Sequence, residues 1–256
     1  MKKYFIIILI LVFSFSGAMA QEGWNTFKST HFIVFYKSAP VDFVKLVSDR
    51  AEECYKEIAE DLGFSRFDFW LWDDRAKIYI HDDIKAYRSA TRQPSWSVGV
   101  AYPSLKTIQT FPYADDFLET VLLHEMGHII FREFVGFNNP GVPLWLDEGV
   151  ASYQEKNKYP HVNSQIRKAI EEGSFMDLNK LSRLHNLAGL DSRLVHIFYA
   201  ESFGLVDFLI SEFGRDKFVF FCQDLRDKKN FEMAQKAAYP LKDINALDQA
   251  WQNYLK

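Results

Sequence analysis

The stretch His124-Glu125-Met126-Gly127-His128 decides the fold, because residues four apart on a helix face the same way. Both imidazoles can then reach one zinc ion at about 2.0–2.1 Å. Glu125 lies beside that face, where its carboxylate can take a proton from water activated by the metal. The pattern therefore predicts a metal site on a helix.

The surroundings of the two histidines strengthen this prediction. The pentapeptide pattern alone recurs by chance in about one chain in a hundred of this length. Phe117, Val121 and Phe131, however, share the helical stripe of His124 and His128, so the histidines continue an apolar, inward-facing surface. Each buried imidazole needs a polar partner, and one metal ion satisfies both. The alternative is two core histidines that are satisfied separately.

A third ligand is available in the run Trp145-Leu146-Asp147-Glu148-Gly149-Val150-Ala151-Ser152-Tyr153. Glu148 falls on the apolar stripe of the helix predicted there, and an unpaired buried carboxylate is very costly unless a cation accompanies it. The alternative is an acid on the helix surface, which is what we expect of Asp147 and Glu155.

With these residues in place, the chain resembles the gluzincin metallopeptidases, which include thermolysin and the membrane alanyl aminopeptidases. The step from His128 to Glu148 suits the thermolysin-like spacing. The Trp145–Tyr153 run is closer to the aminopeptidases and to bacterial peptidase MA-like proteins, and the segment His31-Phe32-Ile33-Val34-Phe35-Tyr36 also resembles the latter. The resemblance implies a zincin-like peptidase domain that holds Zn²⁺ through His124, His128 and Glu148.

The same resemblance implies catalytic roles for Glu125 and Tyr199. Glu125 corresponds to the general base. The segment that begins Tyr199-Ala200-Glu201-Ser202 is similar to the aminopeptidase segment whose leading tyrosine stabilises the oxyanion, which is charge that develops only in the tetrahedral intermediate. The alternatives are an ordinary core aromatic at position 199 and a second donor at His196, one helical turn earlier.

One departure from the aminopeptidases affects the substrate class. Their Gly-x-Met-Glu-Asn strand carries a glutamate that holds the free amino terminus of the substrate. The corresponding segment here, Gly99-Val100-Ala101-Tyr102-Pro103, contains no acid. The interpretation of this chain as an exopeptidase therefore loses its main support. The strand could still pair with an extended substrate by edge addition.

Hydrophobic periodicity predicts an α+β domain with a small N-terminal mixed sheet and a mostly helical C-terminal half. Strands are predicted in residues 31–36, 77–81, 98–102 and 107–111, with a turn at Pro103-Ser104. A capping box that starts at Asp116 should open the histidine helix, which Gly136 should end. The other helices are predicted in residues 41–62, 143–155, 163–172, 194–213 and 215–227 and at the C-terminal end.

The first twenty residues have the pattern of a signal peptide. Lys2 and Lys3 precede an apolar run, and Ala18-Met19-Ala20 fits the cleavage site. The alternative is a membrane anchor, but the apolar run is shorter than the roughly twenty residues that span a bilayer. No later stretch is expected to cross a membrane. We therefore expect a signal peptide in residues 1–20, one domain in residues 21–256, and export to the periplasm or outside the cell.

The composition limits the classes of binding partner that we expect. The 256 residues carry a net charge of −4 with acidic and basic residues interspersed, which argues against a nucleic-acid surface. We expect a peptide or protein substrate, and membrane contact only through the signal peptide. A hydrolase of a non-peptide amide or ester, and an inactive metal-binding or assembly module, remain the alternatives. Cys54 and Cys222 could form a disulfide after export or stay as buried thiols.

Overall fold

The computed structural model describes residues 23–67, 70–95, 97–155 and 161–256. The predicted signal peptide, residues 1–20, lies outside the described residues. The described strands are β1 Asn25–Lys28, β2 Phe32–Tyr36, β3 Ala76–Ile80, β4 Gly99–Tyr102 and β5 Thr107–Thr110. The described helices are α1 Val41–Asp61, α2 Ile84–Thr91, α3 Leu122–Val135, α4 Leu144–Tyr153, α5 Val162–Glu171, α6 Leu178–Arg183, α7 Ser192–Phe213, α8 Arg215–Lys228, α9 Phe231–Ala238 and α10 Ile244–Tyr254.

The five strands form one mixed sheet in the order β1-β2-β3-β5-β4. The central strands β2, β3 and β5 run parallel, and an antiparallel strand closes each side. Phe32 and Val34 of β2 are buried, as are Ile78 and Ile80 of β3, because alternate residues of a strand point to one face. The mixed sheet followed by helices confirms the predicted α+β class.

The long helices follow the predicted periodicity, and a glycine with a positive φ follows two of them, including Gly136 after α3 as expected. Gly63 follows α1 with φ +76°, and Gly136 follows α3 with φ +98°. Glycine adopts such angles without steric cost, which is why it commonly follows a helix. The predicted capping box, in contrast, is wrong. Asp116 adopts a left-handed backbone and makes no cap, Phe117–Val121 forms a π-helical turn, and α3 begins only at Leu122.

Helix α7 corrects the expectation that no later stretch could cross a membrane. By length and composition, its 22 residues are apolar enough to do so. Yet 61 % of its apolar window is buried inside the protein, where it packs against α4, α5 and α8. Its hydrophobicity is that of a core helix covered on several sides.

The two cysteines are separate buried thiols. Cys54 lies on α1 and Cys222 on α8, and both are free. Burial raises the pKa of the Cys54 thiol to about 12 and that of Cys222 well above its ordinary value. Both therefore act as small apolar core residues.

Two glycines allow α4 to lie unusually close to its neighbours. A Cβ on Gly127 of α3 would come within 3.1 Å of the Cα of Ala151 on α4. A Cβ on Gly149 would overlap the backbone carbonyl of Ser202 on α7 and stand 3.0 Å from Val206. Helix α4 therefore packs between α3 and α7 so closely that the helix backbones are nearly in contact.

We predict that Gly149→Ala destabilises the protein and that Gly127→Ala does so much less. Alanine favours a helix over glycine by about 1 kcal/mol, whereas overpacking a core costs about 1–3 kcal/mol. At Gly149 the obstacle is rigid backbone, so the overpacking cost should exceed the helix gain and the free energy of unfolding should fall by up to about 2 kcal/mol. At Gly127 a shift of a few tenths of an ångström suffices. Urea unfolding of the two variants measures both effects, and a Gly149→Ala variant more stable than the parent would contradict the close approach of α4 to α7.

Candidate metal centre

Helix α3 brings the two histidines of the motif to one point. The Nε2 atoms of His124 and His128 are 3.2 Å apart, and the rings stand nearly perpendicular. Two nitrogens at about 2.0–2.1 Å from one tetrahedral zinc ion lie about 3.3 Å apart. The two imidazoles are therefore spaced as ligands of a single metal ion.

Glu148 on α4 completes a group of three donors. Its Oε2 lies 3.8 Å from His124 Nε2 and 3.7 Å from His128 Nε2. The three ligand atoms all lie within 4.8 Å of one another, and all three side chains are partly buried. Two imidazoles and one carboxylate form a donor set typical of catalytic zinc sites. The residues predicted from the sequence thus fit a zinc ion.

A second carboxylate orients each histidine from behind. His124 Nδ1 donates to Glu155 Oε1 at 2.6 Å, and His128 Nδ1 lies 3.3 Å from Asp147 Oδ1. Such partners fix the imidazole tautomer and leave Nε2 for the metal. The expectation that Asp147 and Glu155 are surface acids is wrong: the Asp147 side chain is 16 % exposed and that of Glu155 only 3 %.

Arg132 extends the chain of contacts behind His128. Its guanidinium donates to Asp147 Oδ2 at 2.8 Å. Burial raises the pKa of Asp147, but His128 and Arg132 outweigh burial and lower it to about 2. For His128 the signs are reversed. Burial lowers its pKa, but the nearby acids Asp147, Glu148 and Glu125 outweigh burial and raise the pKa to about 9. The centre therefore attracts positive charge, which a bound cation can supply in place of a proton.

Glu125 is held by the sheet. Its Oε2 accepts a hydrogen bond of 2.8 Å from the backbone N–H of Ala101 on β4. Because β4 is an edge strand, Glu125 lies where the histidine helix meets the open side of the sheet. The sequence carries no signal for this contact, since the donor is a backbone group.

Tyr199 and His196 lie one helical turn apart on α7 and differ in exposure. Ser202 of α7 packs against Gly149 of α4, and the Phe203 ring contacts Tyr153 at the end of α4. Tyr199 precedes these two residues by one helical turn, which places it on the side of α7 that faces α4. His196 is exposed and lines a cavity beside α5. The placement favours Tyr199 over His196 for a role near the metal ligands.

The fold and the site together define a zincin-like domain with a His-His-Glu group that could hold a metal ion. Residues 72–256, well over half of the chain, match the family model of the Peptidase MA superfamily. The chain therefore belongs to that superfamily. Among curated proteins, no sequence matches it.

Similar solved structures support the same fold. One is the M1 zinc metallopeptidase from Deinococcus radiodurans, with a TM-score of 0.52 and 13% identity. Another is a point mutant of an M1 zinc metallopeptidase from the same organism, with a TM-score of 0.52 and 12% identity. Each comparison covers 89% of this chain and 51% of the other, so this chain spans about half the length of those enzymes.

We predict that Asp147→Asn and Glu155→Gln each weaken zinc binding about 10- to 100-fold while leaving the three ligands in place. The amides still fill the space, but they no longer hold the imidazoles by a charged contact. Competition with a chromogenic chelator measures the affinity. Glu171→Gln, an exposed acid on α5, is the matched control and should bind zinc as the parent does. Equal affinity in all four proteins would show that the carboxylates behind the histidines do not tune the site.

Proposed function

We propose that this protein is a zinc-dependent peptidase in which His124, His128 and Glu148 hold the metal. The observation that carries the proposal is the pair of Nε2 atoms 3.2 Å apart, with a carboxylate behind each ring and Glu148 beside both. Membership of the Peptidase MA superfamily supports a peptide or protein substrate. A bound zinc ion would supply Lewis acidity, polarising the scissile carbonyl and acidifying water.

Glu125 is the proposed general base. Its carboxylate can accept a proton from the attacking water and later pass that proton to the leaving amine. The N–H of Ala101 holds one of its oxygens at 2.8 Å, which fixes the carboxylate relative to β4. Catalytic groups that are held in place lose no free energy to reorganisation during the reaction.

The proposed substrate path runs along β4. This strand ends the sheet, and an extended peptide can add to such an edge through its backbone. No acid lies on Gly99–Tyr102 to hold a free amino terminus. The edge therefore favours recognition of the peptide backbone over recognition of a chain end.

Replacing the proposed base tests the function directly. Glu125→Gln should keep the zinc and the fold but lose roughly a thousandfold or more in hydrolysis of an unfolded protein substrate, because the amide cannot accept the proton. Mass spectrometry of the cleavage products measures the rate. Glu119→Gln, an exposed acid in the turn before α3, should keep full activity. A fully active Glu125→Gln protein would exclude the mechanism.

Tyr199 is the proposed oxyanion donor, and Tyr199→Phe isolates its hydroxyl. A donor used only in the transition state should lower kcat about 10²–10³-fold with little change in KM. Tyr254→Phe is the control, because this half-exposed ring also contacts α7, through Phe208. Zinc content and thermal midpoint should be measured beside the kinetics. Near-parent turnover in a folded, zinc-loaded Tyr199→Phe protein would assign the role to another group.

We also propose that the chain is exported and cleaved after Ala20. The basic start, the apolar run and the small residues of positions 1–20 support this proposal. N-terminal sequencing of protein from the periplasm or the medium should begin at Gln21. Cytoplasmic protein that retains Met1 would contradict export.

A further inference from the structure

Strand β4 turns two backbone carbonyls toward the open side of the sheet. The backbone N–H of Ala101 donates to Glu125 on α3, so it points away from the neighbouring strand β5. In an antiparallel strand the N–H and the carbonyl of one residue point to the same side, and residues two apart share that side. Gly99 and Ala101 therefore present their carbonyls to the edge, whereas Val100 and Tyr102 face β5.

The groups available to a peptide lie within the four residues of β4. Pro103 directly follows the strand and begins a short 3₁₀ turn. Its carbonyl accepts from the backbone N–H of Lys106 at 2.9 Å. Proline has no N–H, so position 103 offers a peptide neither a donor nor an unused carbonyl. The edge that an extended peptide can join is therefore short.

The hydroxyl of Ser97 engages one of the two edge carbonyls. It donates to the carbonyl oxygen of Gly99 at 3.0 Å. Because a hydroxyl carries one proton, Ser97 accepts from the Tyr87 hydroxyl of α2, which lies 2.8 Å away. Ser97 is 5 % exposed and Tyr87 is fully buried, so neither hydroxyl can exchange its partner for bulk water. Of the two edge carbonyls, that of Ala101 is the one left for a peptide.

The path of an added peptide shows what the bond from Ser97 changes. β4 runs from Gly99 to Tyr102, so a peptide that adds antiparallel passes Gly99 with its C-terminal part. The peptide residues that face Ala101 and Gly99 are two apart, which is about 7 Å along an extended chain. Each would donate its N–H to the carbonyl opposite. With Ser97 bound to Gly99, only the bond to Ala101 forms.

We propose that Ser97 is a positioning residue that limits how much of a peptide substrate the β4 edge recognises. Acting through Gly99, it leaves a single carbonyl for the N–H groups of the peptide. That carbonyl belongs to Ala101, the residue that also holds Glu125. The C-terminal part of the peptide gains no N–H bond to β4, so the backbone is anchored at one point beside the base. This inference rests on the proposed peptidase function and concerns how its substrate is held.

The test removes the N–H groups of a peptide one at a time. The probe is acetyl-Thr-Ala-Phe-Val-Ala-Thr-amide, an uncharged peptide whose single aromatic residue favours one register, together with analogues that each carry one methylated backbone nitrogen. Isothermal titration of the zinc-loaded protein measures the dissociation constants, and KM replaces them for any peptide that is cleaved. In the parent, methylation at one position should weaken binding about two- to tenfold, which is the usual net contribution of one hydrogen bond.

Ser97→Ala should make a second position sensitive, two residues nearer the C terminus of the peptide, because the Gly99 carbonyl becomes free. The unmethylated peptide should then bind about two- to tenfold more tightly than to the parent. The same pattern of sensitive positions in both proteins would assign Ser97 a role in folding alone and overturn the proposal. No binding of the peptide to the parent at millimolar concentration would also overturn it.

Thr110→Val is the matched control. The Thr110 hydroxyl donates to the carbonyl of Val98 at 2.8 Å, so this variant also removes a buried hydroxyl beside the start of β4, but on the β5 side. It should keep the parent pattern, and a second sensitive position there would indicate a loosened strand and overturn the proposal. Ser97→Cys fills the same space with a weaker donor and should show the second position even if Ser97→Ala does not fold.

The outcome is separable from that of the peptidase proposal. If the peptide binds with the expected pattern but no peptide is cleaved, the result counts against the peptidase function and leaves the effect of Ser97 on the edge in place. If peptides are cleaved but methylation acts alike in the parent and in Ser97→Ala, the peptidase function stands and the role of Ser97 is wrong.

Discussion

The structure depends on the close packing of α4 against α3 and α7, in which the helix backbones are nearly in contact. The two histidines come from α3 and Glu148, the third proposed ligand, from α4, so the group of three forms only if these helices nearly touch. Gly127 permits the contact on one side of α4 and Gly149 on the other. Gly127 stands between the two histidines, and Gly149 directly follows Glu148. The glycines that allow the close packing therefore alternate along the chain with the side chains of the site. This arrangement links the stability of the core to the geometry of the site.

Helix α4 also supplies the electrostatics of the centre. Asp147 and Glu148 belong to it, and Glu155 follows its last turn, so three carboxylates meet the imidazoles of α3 from one side. Glu125 adds a fourth acid, and Arg132 is the base bound among them. An excess of buried negative charge is costly without a cation. A divalent cation offsets that cost, so the same charges that burden the fold favour a metal ion at this site.

Much of this could be predicted from the sequence, and the failures have physical reasons. The meeting of His124, His128 and Glu148 was predictable because helical spacing fixes which side chains share a face. Asp147 and Glu155 were not, because a position beside a buried stripe is exposed on an isolated helix and becomes covered only when another helix packs there. The capping box failed because Asp116 adopts a left-handed backbone. The short elements β1, α2 and α6 were missed because so few residues carry little periodicity.

The contact between Glu125 and β4 also limits how the proposed substrate can bind. The N–H of Ala101 donates to Glu125, so it is unavailable to a peptide that adds to the edge of the sheet. Pro103, which directly follows β4, has no N–H to offer. The carbonyl oxygen of Gly99 already accepts from the Ser97 hydroxyl at 3.0 Å. The carbonyl of Ala101 is then the group best placed to accept an N–H from the substrate. A peptide bound there is anchored by the same residue that orients the base, so substrate alignment and proton transfer share one strand.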